Sequence, residues 1–381
     1  MAKELEIGPI RPPSEAGSLL LRVTRNCSWN KCKFCVAYEN QSFSTRPIEE
    51  IKAEIDQLAL YRNDILSWKL DDHNMAMEKL HDLPEGTMQG YLYVLHWMSQ
   101  GEESVFLQDA DTVVLSFDKL REILFYLRKK LPQVKRVTSY GRVGSLMKFS
   151  VEQLTELKEA GLDRIHSGYE SGSDEVLKLI NKGFTKAQEI EAGQKVKASG
   201  IELSVYFMPG VGGRDLSDDN AIETADVVNK TNPDFVRIRT FVSLQGTGLF
   251  DEINAGRIKE CTDKGKMLEL KKMIENIDGA DGHLYCDHII NHFEDLNGNM
   301  KTDKEKMLSV FAAFERLDAQ GQRRYQVARR MGMVRSLSHF ELLDTEQQEN
   351  VDMYLSQLDT GEKFEALLLK LLRRYITKPY R

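Results

Sequence analysis

Short apolar, β-branched runs followed by longer helical stretches recur along the chain. The first run is 19–24 (LLLRVT), and helix-like sequence follows from 48 to about 61. Residues 62–100 are irregular, with several Met, Asp and His, and read as an extra helix or an insertion. A second run at 105–107 precedes a helical pattern over about 117–130, and a third run covers 134–139. Ser150 with Gln153 spells a capping box that opens the next helix. A fourth run at 164–167 leads into Gly168-Tyr169-Glu170-Ser171-Gly172, and Thr185 with Gln188 caps another helix. A fifth run at 202–207 stops at Pro209-Gly210-Val211-Gly212-Gly213, and after a further helix a sixth run spans 235–241.

Six strand-then-helix units in succession predict a parallel sheet with right-handed crossovers. The expected fold class is α/β: a partial (β/α)6, TIM-like barrel over 15–248, with a mainly helical C-terminal region over 249–381. In such sheets the site lies at the carboxyl ends of the strands. The polar and glycine-rich punctuation falls there. In the C-terminal region a Thr302/Glu305 capping box and two amphipathic helices at the end are expected.

Composition narrows the class. The chain has 381 residues, 52 Lys+Arg against 59 Asp+Glu and a net charge of -7. Charged residues at 29% and apolar ones at 41% are ordinary for a globular enzyme and exclude a disordered chain. No apolar run approaches the ~20 residues that span a bilayer, and no secretory signal opens the chain. A cytoplasmic protein is expected, with no membrane partner. The acidic balance argues against nucleic acid as a partner.

Three of the five cysteines lie within nine residues, as Cys27, Cys32 and Cys35, in the segment Arg25-Asn26-Cys27-Ser28-Trp29-Asn30-Lys31-Cys32-Lys33-Phe34-Cys35. A tight thiol cluster in a reducing compartment points to metal. Three thiolates from one loop can hold three irons of a [4Fe–4S] cluster and leave the fourth open to a ligand. Structural zinc closed by a distant fourth ligand is the competing reading.

With Phe34 just before the last cysteine, the segment resembles the cluster loop of radical S-adenosylmethionine (radical SAM) enzymes. The usual spacing there is C-x3-C-x2-C, and this chain carries one residue more between Cys27 and Cys32. The likeness extends over roughly 18–245, with the oxygen-independent coproporphyrinogen oxidase-like and methylthiotransferase-like branches and with a group carrying a CxWNxCxFC loop. The resemblance implies a [4Fe–4S] cluster on Cys27, Cys32 and Cys35 and SAM as cofactors. It implies SAM contacts from Phe34, Gln108, Asp109, Ser139, Glu170, Lys182, Pro209 and Arg239. Tyr140, Arg142, Asp287 and His288 are the candidates facing substrate. The expected reaction is reductive cleavage of SAM and hydrogen abstraction from a small-molecule substrate. A one-electron donor such as flavodoxin or ferredoxin would be the protein partner. An iron–sulfur electron carrier without SAM chemistry, and a radical SAM enzyme acting on RNA, are the alternatives.

Downstream, His288 and His292 stand four apart and would share a face if helical. Five arginines between 323 and 335 read as a helix surface balancing nearby acids.

Overall fold

The computed structural model describes residues 5–68, 78–84, 86–356 and 361–376. The six expected strands are β1 (Leu19–Arg22), β4 (Ser104–Gln108), β5 (Arg136–Tyr140), β6 (Leu162–Glu170), β7 (Glu202–Phe207) and β8 (Phe235–Ile238). Each is followed by a helix: Ile48–Ser67, Phe117–Lys130, Val151–Glu159, Lys186–Ala198, Ser217–Thr231 and Asp263–Asn276. The α/β class and the six βα units of the partial (β/α)6 barrel are thus present. Two short strands, β2 (Thr24–Arg25) and β3 (Ser44–Thr45), form a separate antiparallel ribbon around the cysteine segment.

Two further strands join the main sheet, β9 (His283–Tyr285) and β10 (Gly298–Asn299). The eight-stranded order is β1-β4-β5-β6-β7-β8-β9-β10. Its recorded pairings are parallel except β9 with β10. Sequence pattern misses β9 and β10 because they are three and two residues long, too short for a period-2 signal.

Contacts divide the chain into two compact units. The first comprises Met1–Asn30, Ala37–Ser167 and Glu191–Leu203, and the second Lys31–Val36, Gly168–Ile190 and Ser204–Arg381. In the first, Leu19, Leu21, Val105, Leu107 and Val137 are fully buried. The helix Ile48–Ser67 buries Ile51, Ile55, Leu58 and Ile65, the three-to-four spacing of one helix face. In the second, Val205, Phe207, Val236, Ile238 and Leu284 alternate with polar or aromatic residues along β7, β8 and β9. That alternation puts the apolar set on one face of the sheet.

Several local expectations change. The first helix runs on to Ser67, and β6 continues through Gly168 and Tyr169 to Glu170. The irregular stretch contains the helix Met88–Ser99; residues 69–77 and 85 lie outside those described. The Thr302/Glu305 box does not form: Asp303 is the N-cap, without a side-chain cap, and the Thr302 amide donates to Asn299 Oδ1. Residues 286–292 are not helical, so His288 and His292 do not share a helix face. Arg329 and Arg330 are buried rather than on a helix surface, where they donate to loop carbonyls and to Asp263. The two C-terminal helices are Thr345–Ser356 and Gly361–Ile376.

The Ser150/Gln153 box forms in both directions: the Gln153 amide donates to Ser150 Oγ, and the Ser150 amide to Gln153 Oε1. Ser150→Ala removes the first of these bonds, and urea unfolding should report a loss of about 1 kcal/mol.

Candidate functional site

The cysteine segment begins in the first unit. Its two asparagines set the path of the chain there. Asn26 and Asn30 have φ of 66° and 47°. Asn tolerates this left-handed region better than most residues, because its short side chain bonds locally. Asn26 Nδ2 donates to the Ser42 carbonyl, and Asn30 Nδ2 to those of Tyr38 and Gln41. The Asn30 amide donates to Cys27 Sγ at 3.4 Å.

Asp109 anchors this half of the loop. Its Oδ2 accepts from Arg22 Nη2 at 2.7 Å, from Arg22 Nε at 3.1 Å and from the Asn26 amide at 3.1 Å. Its Oδ1 accepts from the Tyr38 hydroxyl, whose pKa is driven up by burial and then by this carboxylate. Gln108 is equally engaged: Oε1 accepts from the Gly8 amide, and Nε2 donates to the Gly8 and Ile10 carbonyls. Both side chains are fully buried, so neither presents a free polar group. Asp111 holds the next residues, accepting from Ser28 Oγ, from the Arg142 amide at 3.0 Å and from Ser145 Oγ at 2.7 Å. Burial raises its pKa against those bonds. The Arg142 guanidinium lies 5.5 Å over the Trp29 ring. Tyr140 packs edge-on against Phe106 and His166. Ser139 is buried, and its Oγ has no partner among the described residues.

The second unit holds the rest of the segment. The Lys33 amide donates to the Ile180 carbonyl at 2.9 Å, and the Leu249 amide donates to the Lys33 carbonyl at 2.8 Å. The Cys35 amide bonds the Cys32 carbonyl at 3.2 Å. Phe34 packs against a core of Val176, Ile180, Met208, Val211, Phe241 and Leu249. The Lys182 ammonium stands 5.6 Å over its ring and 3.0 Å from Glu170 Oε1. Glu170 takes a φ of 70°, unusual for a residue with a side chain, and its carbonyl accepts from the Met208 amide. Gly168 makes room for the pair, since a Cβ there would meet Glu170 Oε1 at 2.4 Å and Lys182 Nζ at 3.2 Å. The Pro209 carbonyl accepts from the Phe241 amide.

Thus Cys32, Phe34, Cys35, Glu170, Lys182 and Pro209 share one unit, and Cys27, Gln108, Asp109, Ser139, Tyr140 and Arg142 the other. All three loop cysteines are reduced, and they are half-buried or exposed. Among the described residues no three His, Cys, Asp or Glu converge as around a single metal ion. The donor set is three thiols, one already accepting an amide N–H. That suits iron–sulfur chemistry, in which hydrogen bonds to sulfur tune the cluster.

Arg239 is exposed just past β8, and its amide donates to the Phe207 carbonyl. Asp287 lies 3.6 Å from Arg237, and His288 Nδ1 accepts from the Ile290 amide. Sequence reasoning misses Tyr38 and Arg22, and also Glu269, whose carboxylate accepts from the Gly210 amide, Asn220 and Ser217. The spacing of Lys266, Glu269, Leu270 and Met273 places this acid on the buried stripe of its helix, the one signal that could have found it. Asp263 and His292 form a buried pair at 3.1 Å, and Arg330 completes it through a fork onto Asp263.

A model of the Radical SAM superfamily matches residues 97–225. The tRNA uridine(34) acetyltransferase of Methanocaldococcus infernus is 29% identical over 111 residues, which are 29% of this chain and 21% of that protein. The 4'-phospho-dehydrooxetanocin synthase of Priestia megaterium is 26% identical over 230 residues, 57% of this chain and 26% of that protein. The matched segments therefore span only 21% and 26% of the two relatives. A solved cobalamin-dependent S-adenosylmethionine radical enzyme, OxsB, superposes with a TM-score of 0.45 at 15% identity, over 94% of this chain and 54% of that one. No helix of the described residues is long and apolar enough to cross a membrane.

Two measurements check this geometry. Asp109→Ala strips the Tyr38 hydroxyl and the Asn26 amide of their acceptor and leaves Glu6 as the carboxylate partner of Arg22, and unfolding should show a loss of about 2–3 kcal/mol. His288 and His292 are each pushed down to about 4, chiefly by burial and then by neighbouring arginines. A folded pKa below the unfolded value near 6.5 contributes stability above that value, lost as pH falls toward 4. Urea unfolding should therefore lose a few kcal/mol between pH 7 and pH 4. His288→Asn should flatten that slope.

Proposed function

The chain carries a radical SAM domain, whose cofactors are a [4Fe–4S] cluster and SAM, and on that premise we propose that it abstracts a hydrogen atom from a small polar molecule. The observation that carries the reading is the loop of three reduced thiols with Phe34 beneath Lys182. When bound, the cluster and SAM supply the electron and the cleaved sulfonium bond that yield a hydrogen-abstracting radical.

The chain's own residues bind, orient and exclude. Cys27, Cys32 and Cys35 would hold three irons, leaving the fourth without a protein ligand. The amide bond from Asn30 eases the negative charge on Cys27. Phe34 and its apolar surround shield one side of the site from water. Glu170 would accept from ribose hydroxyls, Lys182 would neutralise the SAM carboxylate, and Pro209 would line the adenine. Ser139 offers its unpartnered hydroxyl, and Arg239 an exposed charge. Gln108 and Asp109 act as positioning residues, since their polar atoms already hold the N-terminal segment and the loop. A one-electron donor and a cytoplasmic setting belong to the same reading.

A nucleic-acid substrate is the second reading, favoured by the tRNA-modifying relative. The net charge of -7 supports the small molecule. RNA affinity that falls steeply with salt would decide for the polymer.

The test is anaerobic reconstitution with iron and sulfide, then SAM and dithionite, reading 5′-deoxyadenosine by mass spectrometry. The wild type should form it and bind about four irons per chain. The Cys27/Cys32/Cys35 triple alanine variant should do neither. Zinc in place of iron, or an intact cluster that leaves SAM whole with every substrate tried, would overturn the reading.

A further inference from the structure

The apolar residues of β7, β8 and β9 lie toward the helices: Phe207 borders Ala221 and Thr224 of one and Leu270 and Met273 of another. Successive strand residues point to opposite faces. Ser204, Tyr206, Phe235, Arg237, His283 and Tyr285 therefore share the face turned away from those helices. The registers set Tyr206 beside Arg237 and Arg237 beside Tyr285. Parallel strands packed on both faces are normally apolar throughout. This face instead presents a guanidinium, hydroxyls and rings.

Arg237 is 5% exposed. A buried charge is costly unless it is paired and hydrogen-bonded. The guanidinium lies 4.9 Å over the Tyr285 ring, and Nη1 is 3.6 Å from Asp287 Oδ2, longer than a charge-assisted hydrogen bond. Arg237 Nε donates to nothing among the described residues, and the fully buried Ser204 Oγ is also unpartnered. One edge of a planar five-donor fork is thus unused. Arg239 follows one strand period later and is exposed.

We propose that this face binds the anionic group of the substrate, a carboxylate or a phosphate, on the Nε edge of Arg237. The assignment rests on the small-molecule reading above and deepens it by naming the substrate class. The guanidinium fork matches two oxygens of such a group, and the Tyr285 ring keeps it planar and in place. Arg239 adds charge at the carboxyl end of the strand. Asp287, 45% exposed, is the internal carboxylate that an arriving anion must outcompete.

The test uses the whole chain without cluster or SAM, titrated with inorganic phosphate and separately with acetate by calorimetry. At least one should bind saturably, and the preference names the group. Arg237→Ala should weaken it about tenfold, and Arg237→Lys less. Asp287→Asn should tighten it several-fold, an effect that a purely structural ion pair does not give and that does not depend on Arg237→Ala folding. SAM binding to the reconstituted protein should be unchanged in Asp287→Asn and in folded Arg237→Ala. The proposal is overturned if neither anion saturates, if folded Arg237→Ala binds as the wild type does, or if Asp287→Asn fails to tighten. It is also overturned if Arg237→Ala weakens SAM as much as phosphate, or if tRNA displaces phosphate from the site. Anion binding that depends on Arg237, in a protein that forms no 5′-deoxyadenosine, upholds the anion site and overturns the radical reading alone.

Discussion

The first half of the cysteine loop depends on one carboxylate. Asp109 is fully buried at the end of β4 and tolerates that burial because Arg22, the Asn26 amide and Tyr38 all donate to it. A buried charge on this scale is costly unless it is paired and hydrogen-bonded. The network therefore fixes where the loop leaves β1 and where it returns past Tyr38. Asp111 repeats the device two residues on, through Ser28 and the Arg142 amide. Ser28, Trp29 and Asn30, between the first two cysteines, are accounted for by such contacts. Trp29 receives the Arg142 guanidinium, and Asn30 turns the backbone and bonds two carbonyls beyond the loop.

The second half is held differently, by backbone bonds and packing. Lys33 is tied through its amide and carbonyl to Ile180 and Leu249, so the segment needs no particular side chain at that position to stay in place. Phe34 supplies the apolar contact, and its ring also faces the Lys182 ammonium. Lys182 is shared between a ring and the Glu170 carboxylate, and Gly168 leaves the space for both. The left-handed backbone at Glu170 is the kind of local strain that recurs at ligand sites. Here the Met208 bond and the Lys182 pair hold it.

Beyond the loop, carboxylates again decide which elements stay together. Glu269 joins the 208–213 turn to the helix Asp263–Asn276. Asp263, His292 and Arg330 tie the helices Asp263–Asn276 and Ala319–Arg330 to the segment after β9. On the sheet face carrying Arg237 the polar groups are not mutually satisfied, since Arg237 Nε and Ser204 Oγ have no partner among the described residues. Buried polar groups are mostly hydrogen-bonded, so each unpartnered one calls for an explanation, and at Arg237 the proposed anion supplies it.

The amino-acid sequence by itself determined the features written in neighbouring residues. The six βα units follow from hydrophobic period, the Ser150 cap from a three-residue spacing, and the thiol cluster from three cysteines in nine positions. These are local, and local spacing is what a sequence displays. Gln108 and Asp109 were legible as polar groups at a strand end, but not as groups already engaged. Asp109 meets its partners across 71 to 87 residues. Strands β9 and β10 are too short to announce themselves, and Arg237 gains its Tyr285 platform only when β9 pairs beside β8. Whether a polar side chain is free or satisfied depends on what the fold brings to it from far along the chain, and only the tertiary structure decides that.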